Sequence, residues 1–265
     1  MISPLAHIHP DAQLGKDVII DPFAVIEDDV IIGDGTHLMS HAVIMKNVRI
    51  GKSCQVFPGA VIGAIPQDLK FEGEKTTVEI GNYTTIRECV TVNRGTKDKW
   101  KTVVGNNCLL MAYSHIAHDC CLGDHVIIAN SVQLAGHVEI GDYAIIGGNA
   151  AAIQFSKIGA HTYIAGGTEV IKDVPPYIKA GRTPLSYVGI NSVGLQRRGF
   201  SSEKINGITE IYRNIYLRGL NISQATQFIE KELPESKEKT EILEFIKDSK
   251  RGILKVSSKE NTNED

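Results

Sequence analysis

The stretch "IIGDGTHLMSHAVIMKNVRIG", residues 31–51, places Ile32, Leu38, Ile44 and Ile50 six residues apart. An α-helix repeats every 3.6 residues and a half-buried strand every two, so neither produces this spacing. The phase extends back through Ile26, Ile20, Leu14, Ile8 and Ile2, and forward to Val56 and Ile62. It resumes at Ile80, Ile86 and Val92, runs from Val104 through Ile116 and Leu134 to Ile146, and ends at Ile158, Ile164 and Val170. Of the 29 positions on this grid, 25 are Ile, Leu or Val, which leaves an amphipathic helix almost no weight. Small side chains sit two residues before each grid point, among them Ala12, Ala24, Ala42, Cys54 and Ala60. Glycine often follows it, as at Gly15, Gly33, Gly51, Gly81 and Gly105.

A hexapeptide repeat is the mark of a parallel β-helix, in which six residues form one flat side and three sides close a coil. The expected fold is therefore mainly β: a left-handed parallel β-helix, a triangular prism, over residues 1–190, followed by a small C-terminal α-helical domain over residues 191–265. The large aliphatic side chain points inward, the small one fits the corner, and glycine is expected to ease the turn. Coils stack about 4.8 Å apart, so residues 18 apart share a column. Two polar segments, "GAIPQDLKFEGEKTTVE" (63–79) and "NRGTKDKWKTV" (93–103), leave the grid without changing its phase. Long excursions of this kind are usually functional or disordered, and both are expected to protrude and help wall a cleft.

The repeat is expected to stop at "DVPPY" (173–177), where Pro175 and Pro176 cannot extend a ladder. Beyond residue 191, Ile205, Ile208, Ile211, Tyr212 and Ile215 fall on one helical face, with Gly219 as the stop. Ser223 is expected to cap a second helix through Leu233, and Pro234 to open a third ending near Gly252. The tail "KVSSKENTNED" (255–265) reads as disordered.

Composition narrows the function. With 28 basic and 31 acidic residues the chain carries a formal charge of −3, no signature of a nucleic-acid binder. The N-terminus has no basic segment followed by an apolar run, and no stretch approaches the length of a membrane span. Five cysteines without a CxxC pair suit a reducing compartment, so a cytoplasmic protein is expected. Cys54, Cys108 and Cys120 all occupy the small inward position and read as core, not as metal ligands. His7, His9, His37, His41, His125 and His161 read as ordinary surface or turn residues.

The chemistry gathers around "HIAHDC", residues 115–120. His118 lies two residues past an inward position and is expected at a corner, facing out; its column continues at Gly136 and Gln154. The next column holds Asp119, His137 and Phe155, and His115 flanks His118 along the strand. An imidazole oriented by a carboxylate can act as a general base, and a glycine one coil away lets a carbonyl approach backbone N–H groups. Histidines from adjacent coils can equally hold Zn²⁺ with an open fourth position, and a hydrated polar patch is the bland reading. Spacing alone leaves the three open.

"HIAHDC", "LAGHV" (134–138), "IPQDLKFEGE" (65–74), "AIIGG" (144–148), "VPPY" (174–177) and "GLQRRGF" (194–200) resemble, in order and spacing, the UDP-N-acetylglucosamine O-acyltransferases of lipid A biosynthesis. The likeness runs from the N-terminus to about residue 218. It implies transfer of an (R)-3-hydroxyacyl group from acyl carrier protein, as its phosphopantetheine thioester, to the sugar's 3-hydroxyl, without a further cofactor and without a metal. It implies that His118 is the general base, Asp119 its orienting carboxylate, and Gly136 the oxyanion donor. Asp68, Lys70, His115, His137 and Gln154 match residues that position the acceptor. Asn191, Arg197 and Arg198 match the nucleotide end, contributed across the interface of a homotrimer; paired arginines also suit a diphosphate. Gly166 matches the acyl-chain ruler, where glycine leaves room for a long chain. The chain departs from better-known members at Asn93, Ile153 and Val193, which puts its sugar and uridine contacts in question and leaves the acceptor atom at C3 open between oxygen and nitrogen. A zinc hydratase of the gamma carbonic anhydrase kind, another hexapeptide acyltransferase and a non-catalytic trimeric scaffold are the rival readings.

Overall fold

In the computed structural model, which describes residues 1–256, the chain from His7 to Ile190 winds as strands of two to five residues. Each strand inside a sheet pairs with the coil before and the coil after. Ile26 lies beside Ile44, Ile44 beside Ile62, Ile116 beside Leu134, and Leu134 beside Ala152, each partner 18 residues on. Three sheets of nine, eight and ten strands form the sides of the prism, a left-handed parallel β-helix in which one pairing alone is antiparallel among the described strands. The grid residues fill it: Ile26, Leu38, Ile44, Ile62, Ile86, Leu110 and Ile116 are fully buried. Full burial of one such side chain contributes about 1.5–3 kcal/mol, repeated up the stack. Cys54, Cys108 and Cys120 are buried among them, and burial pushes the Cys108 thiol up to about 11 and that of Cys120 to about 12. Such thiols stay protonated and unreactive.

The glycines act differently from expectation. Gly15, Gly33, Gly51, Gly81, Gly105, Gly123, Gly141 and Gly159 do not adopt the left-handed conformation. That conformation falls two residues later, mostly on other residue types, including Asp17, Ser53, Asn107, His125 and His161. The glycines are needed because coils touch there: a Cβ on Gly33 would lie 2.5 Å from the carbonyl carbon of Gly51, and one on Gly81 2.6 Å from that of Gly105. At the same corner a ladder of Asx side chains satisfies the turn amides. Asp34 Oδ1 accepts from Lys16 N, Asn82 Oδ1 from Lys52 N, Asn106 Oδ1 from Asn82 N and Asp124 Oδ1 from Asn106 N, all at 2.7–2.8 Å.

Both excursions leave from an intact ladder. Ile62 pairs with Val92 and Val92 with Ile116, while Thr77–Ile80 and Lys101–Val104 are themselves paired strands. The segments outside the sheets are thus shorter than expected, 65–76 and 94–100. They touch each other: Lys97 N donates to Glu74 Oε1 at 3.1 Å, and the Arg94 guanidinium lies over the Phe71 ring.

The prolines do not end the ladder. Val174 bridges to Ile158, and Ile178–Gly181 adds a strand beside Tyr163–Ile164 before Ser186–Ile190 turns back antiparallel. Among the described residues four helices follow: α1 Ser192–Arg197, α2 Ser202–Tyr216, α3 Ile222–Glu232 and α4 Lys237–Asp248. α2 buries Ile205, Ile208, Ile211, Tyr212 and Ile215. α3 is capped by Asn221, not Ser223, because Asn221 and Gln224 form a reciprocal capping box. α4 starts later than Pro234 suggests, behind the cap Ser236, and ends at Asp248 instead of near Gly252. Residues 249–256 return to the prism: Leu254 N donates to Asp173 O and Tyr187 N to Lys255 O, both at 2.9 Å. Lys255 and Val256 are therefore paired instead of part of a free tail, and residues 257–265 lie outside those described.

Candidate active site

At the corner following Ile116, the position that carries Asp or Asn on another edge carries His118. Asp119 is next, held in the left-handed conformation at φ 60° with its own amide donating to Thr102 Oγ1. Asp and Asn tolerate this conformation better than most residues. His118 Nδ1 meets Asp119 Oδ2 at 2.8 Å. The second excursion supplies the remaining donors: Thr96 Oγ1 to Oδ2 at 2.7 Å, Thr96 N to Oδ1 at 2.9 Å and Lys99 N to Oδ1 at 3.2 Å. Burial by itself would raise the Asp119 pKa; hydrogen bonds from His118 and Thr96 outweigh it and hold the carboxyl down at about 2. The Asp119 carboxylate is ionised.

The His118 ring leaves the prism as expected but is not open to solvent, being 4% exposed. The next coil and the second excursion cover it. Gly136 lies against it so closely that a Cβ there would sit 2.5 Å from Cε1 and 2.6 Å from Nε2. Only a residue without a side chain permits this ring position. The neighbouring amides of Ala135 and His137 donate to Ala152 O and His118 O, whereas the Gly136 amide has no acceptor among the described residues. Nε2 of His118 thus lies against a residue whose own backbone amide is unpaired among the described residues.

His137 stands edge-on to His118, ring centroids 5.0 Å apart, and stacks on Phe155 at 4.3 Å. Its Nδ1 lies 3.1 Å from Asp98 Oδ2, and its Nε2 3.8 Å from Asp119 Oδ2. Burial lowers its pKa, against the pull of Asp119. His115 Nδ1 is 2.7 Å from Thr91 Oγ1, and burial, then His118, lowers its pKa as well. Gln154 is exposed one coil on, and its carbonyl accepts from Arg251 Nη2 at 2.8 Å. A groove of about 520 Å³ opens beside His137, lined among others by Asp98, Lys99, Phe155, Lys157, Lys250 and Arg251.

The structure thus gathers His115, His118, Asp119, Gly136 and His137, with Gln154 beside them. The other expected residues lie elsewhere on the subunit. Asp68 and Lys70 occupy the first excursion, where Asp68 Oδ1 accepts from Lys70 N and Leu69 between them is fully exposed. Gly166 is on an exposed corner two coils beyond, pressed against Gly148 O at 2.9 Å from an added Cβ. Asn191 and Arg198 gather on a third cluster. Asn191 Nδ2 donates to His161 O and Arg198 Nη2 to Tyr143 O, both at 2.9 Å; Arg197 is exposed beside them. His161 is not an ordinary surface histidine. It stacks between Tyr143 and Tyr177, its Nδ1 is buried without a hydrogen bond among the described residues, and burial, then Arg198, brings its pKa down to about 4. Thr96, Asp98, Lys250 and Arg251 were missed as site residues. The hexad carries no signal for them, since none belongs to the repeat.

Ligand atoms of His118, Asp119 and His137 fall within 4.8 Å of one another. Asp119 already accepts four hydrogen bonds, two on each oxygen, so a metal would have to displace donors that cost nothing to keep. An imidazole held by an ionised, fully hydrogen-bonded carboxylate has the arrangement of a general base and its orienting partner.

The hexapeptide-repeat family described as bacterial transferase hexapeptide (six repeats) matches residues 11–46 and 101–136, and the family described as UDP N-acetylglucosamine O-acyltransferase, domain 2, matches residues 173–254. The acyl-[acyl-carrier-protein]–UDP-N-acetylglucosamine O-acyltransferase of Janthinobacterium sp. (strain Marseille) is 47% identical over 96% of this chain and 99% of its own. That of Thermodesulfovibrio yellowstonii is 46% identical over 94% and 97%. The crystal structure of a UDP-N-acetylglucosamine acyltransferase from Bacteroides fragilis superposes with a TM-score of 0.95 at 52% identity, covering 96% of this chain and all of that one.

Proposed function

The chain belongs to the acyl carrier protein-dependent UDP-N-acetylglucosamine O-acyltransferases, and we propose that His118 is the general base of its reaction. The enzyme transfers an acyl group from acyl carrier protein to UDP-N-acetylglucosamine, the entry into lipid A biosynthesis. Asp119 accepts a hydrogen bond from Nδ1–H of His118, which leaves the lone pair of the ring on Nε2. The sugar's 3-hydroxyl, placed beside Gly136, gives its proton to Nε2 as its oxygen attacks the thioester carbonyl. The oxyanion that forms meets the Gly136 amide. Collapse breaks the C–S bond, and the imidazolium returns its proton to the leaving thiolate. The single observation that carries this reading is the contact between His118 Nε2 and the side-chain-free Gly136.

The donor chain is a 3-hydroxyacyl group, with Gly166 bordering its far end. Asp68 and Lys70 reach the acceptor from the first excursion, and Asn191, Arg197 and Arg198 hold the nucleotide. These residues do not converge within one subunit, which supports a homotrimer whose clefts lie between neighbours. The fully exposed Leu69, and Ile19, Ile31 and Tyr163 exposed on the flat sides, fit burial in such an assembly. No helix among the described residues is long and apolar enough to cross a membrane.

Replacing His118 by Ala tests the base. Transfer from acyl carrier protein to UDP-N-acetylglucosamine is expected to fall about 10²–10⁴-fold with the melting temperature retained; activity within a few-fold of wild type would end the mechanism.

A further inference from the structure

Asp119 Oδ2 stands between two imidazoles, His118 Nδ1 at 2.8 Å and His137 Nε2 at 3.8 Å. A terminal carboxylate torsion is soft, so the corner backbone alone does not decide which ring the oxygen serves. The second excursion decides it. Thr96 places its amide on Oδ1 and its hydroxyl on Oδ2, one donor for each oxygen, and Lys99 N adds a second to Oδ1. The same excursion also places Asp98 Oδ2 3.1 Å from His137 Nδ1, on the side of that ring away from Asp119.

We propose that Thr96 is a positioning residue for the acyl transfer: its amide and hydroxyl fix Asp119 so that Oδ2 serves His118 instead of His137, leaving Nε2 of His118 aimed at the space beside Gly136. This rests on His118 being the base. The carboxylate is fully buried, so a lost donor cannot be replaced by bulk water. Without the hydroxyl, Oδ2 keeps only the His118 Nδ1 bond, the carboxylate is free to turn its vacated lone pair toward His137 Nε2 3.8 Å away, and the base loses its fixed orientation. Thr96 touches neither substrate nor reacting atom in this account; it acts through Asp119.

The test compares Thr96→Val, which keeps shape and amide, with Thr96→Ser, which keeps the hydroxyl, in the full-length enzyme. Thr96→Val is expected to lower kcat about 10- to 100-fold with KM for both substrates within about twofold, and Thr96→Ser to stay within about threefold of wild type. In the His118→Ala background, Thr96→Val is expected to change nothing further, because the residue it orients is gone. The proposal is overturned by a Val variant with wild-type kcat, by a loss confined to KM, by a Ser variant as impaired as the Val variant, or by a full Val effect in the His118→Ala background. Loss of the fold in both Thr96→Val and Thr96→Ala would also overturn it, since the residue would then be structural. An active His118→Ala enzyme refutes the base itself, a result distinct from each of these.

Discussion

Gly136→Ala isolates the geometry on which the mechanism stands. The added methyl would lie 2.5 Å from Cε1 and 2.6 Å from Nε2 of His118, where non-bonded carbons prefer about 3.5–4.0 Å. One partner must retreat by about 1 Å. The backbone of Gly136 is tied on both sides, through His137 N to His118 O and Phe155 N to Gly136 O, so the imidazole is the part that yields. Its other side is held by Asp119 Oδ2, and a retreat of that size breaks or bends the 2.8 Å bond. A hydrogen bond to a charged group is worth about 1.5–3 kcal/mol, and a 1 Å error at a reacting atom costs on the order of 10²-fold in rate. The Gly136 amide survives the substitution, so the loss reports the base and not the oxyanion donor. The assay is initial-rate acyl transfer at saturating substrates, with a thermal melt of the same preparation. We expect kcat to fall about 10²-fold and the melting temperature to change little. Gly81→Ala is the control: its methyl would press on the Gly105 backbone at 2.6 Å, a clash costing about 1–3 kcal/mol of stability while the folded enzyme keeps its kcat. A Gly136→Ala enzyme with kcat within about threefold of wild type would refute the reasoning.

Stability should respond to pH through His161. Its folded pKa of about 4 lies below the ordinary histidine value, so the unfolded chain takes up the proton first as pH falls. The stabilisation is complete above about pH 6.5 and is lost on the way down to 4; between pH 7 and 5 that is about 2 kcal/mol. His161→Phe, which preserves the stack between Tyr143 and Tyr177, is expected to flatten this part of a urea-unfolding profile, and an unchanged profile would show that the stack does not suppress protonation. If the proposed homotrimer forms, equilibrium sedimentation is expected to give about three times the 28.9 kDa chain mass; a monomer that turns over would refute that arrangement.

An every-sixth-residue core is a local rule repeated, and it carries far. From it alone His118, Asp119, Gly136 and His137 become neighbours although their numbers differ by up to 19, because a fixed coil length converts sequence spacing into position. The buried cysteines follow from the same rule. The role of glycine did not: spacing marks where glycine recurs, but only the stacked coils reveal that the cause is backbone contact and not a left-handed turn. The ladder beyond Pro175 and Pro176 was likewise invisible, since proline forbids its own donor and says nothing of the strand three residues later. Thr96 meets Asp119 across 23 residues through an aperiodic excursion, and Arg251 meets Gln154 across 97 through a helical layer. Periodicity cannot locate such partners, because which loop closes over which corner depends on the packing energy of the whole chain. The repeat alone is enough to give the prism and the line of polar groups along its edge; that His118 is covered, which oxygen of Asp119 it meets and what holds that carboxylate in turn depend on how the excursions pack.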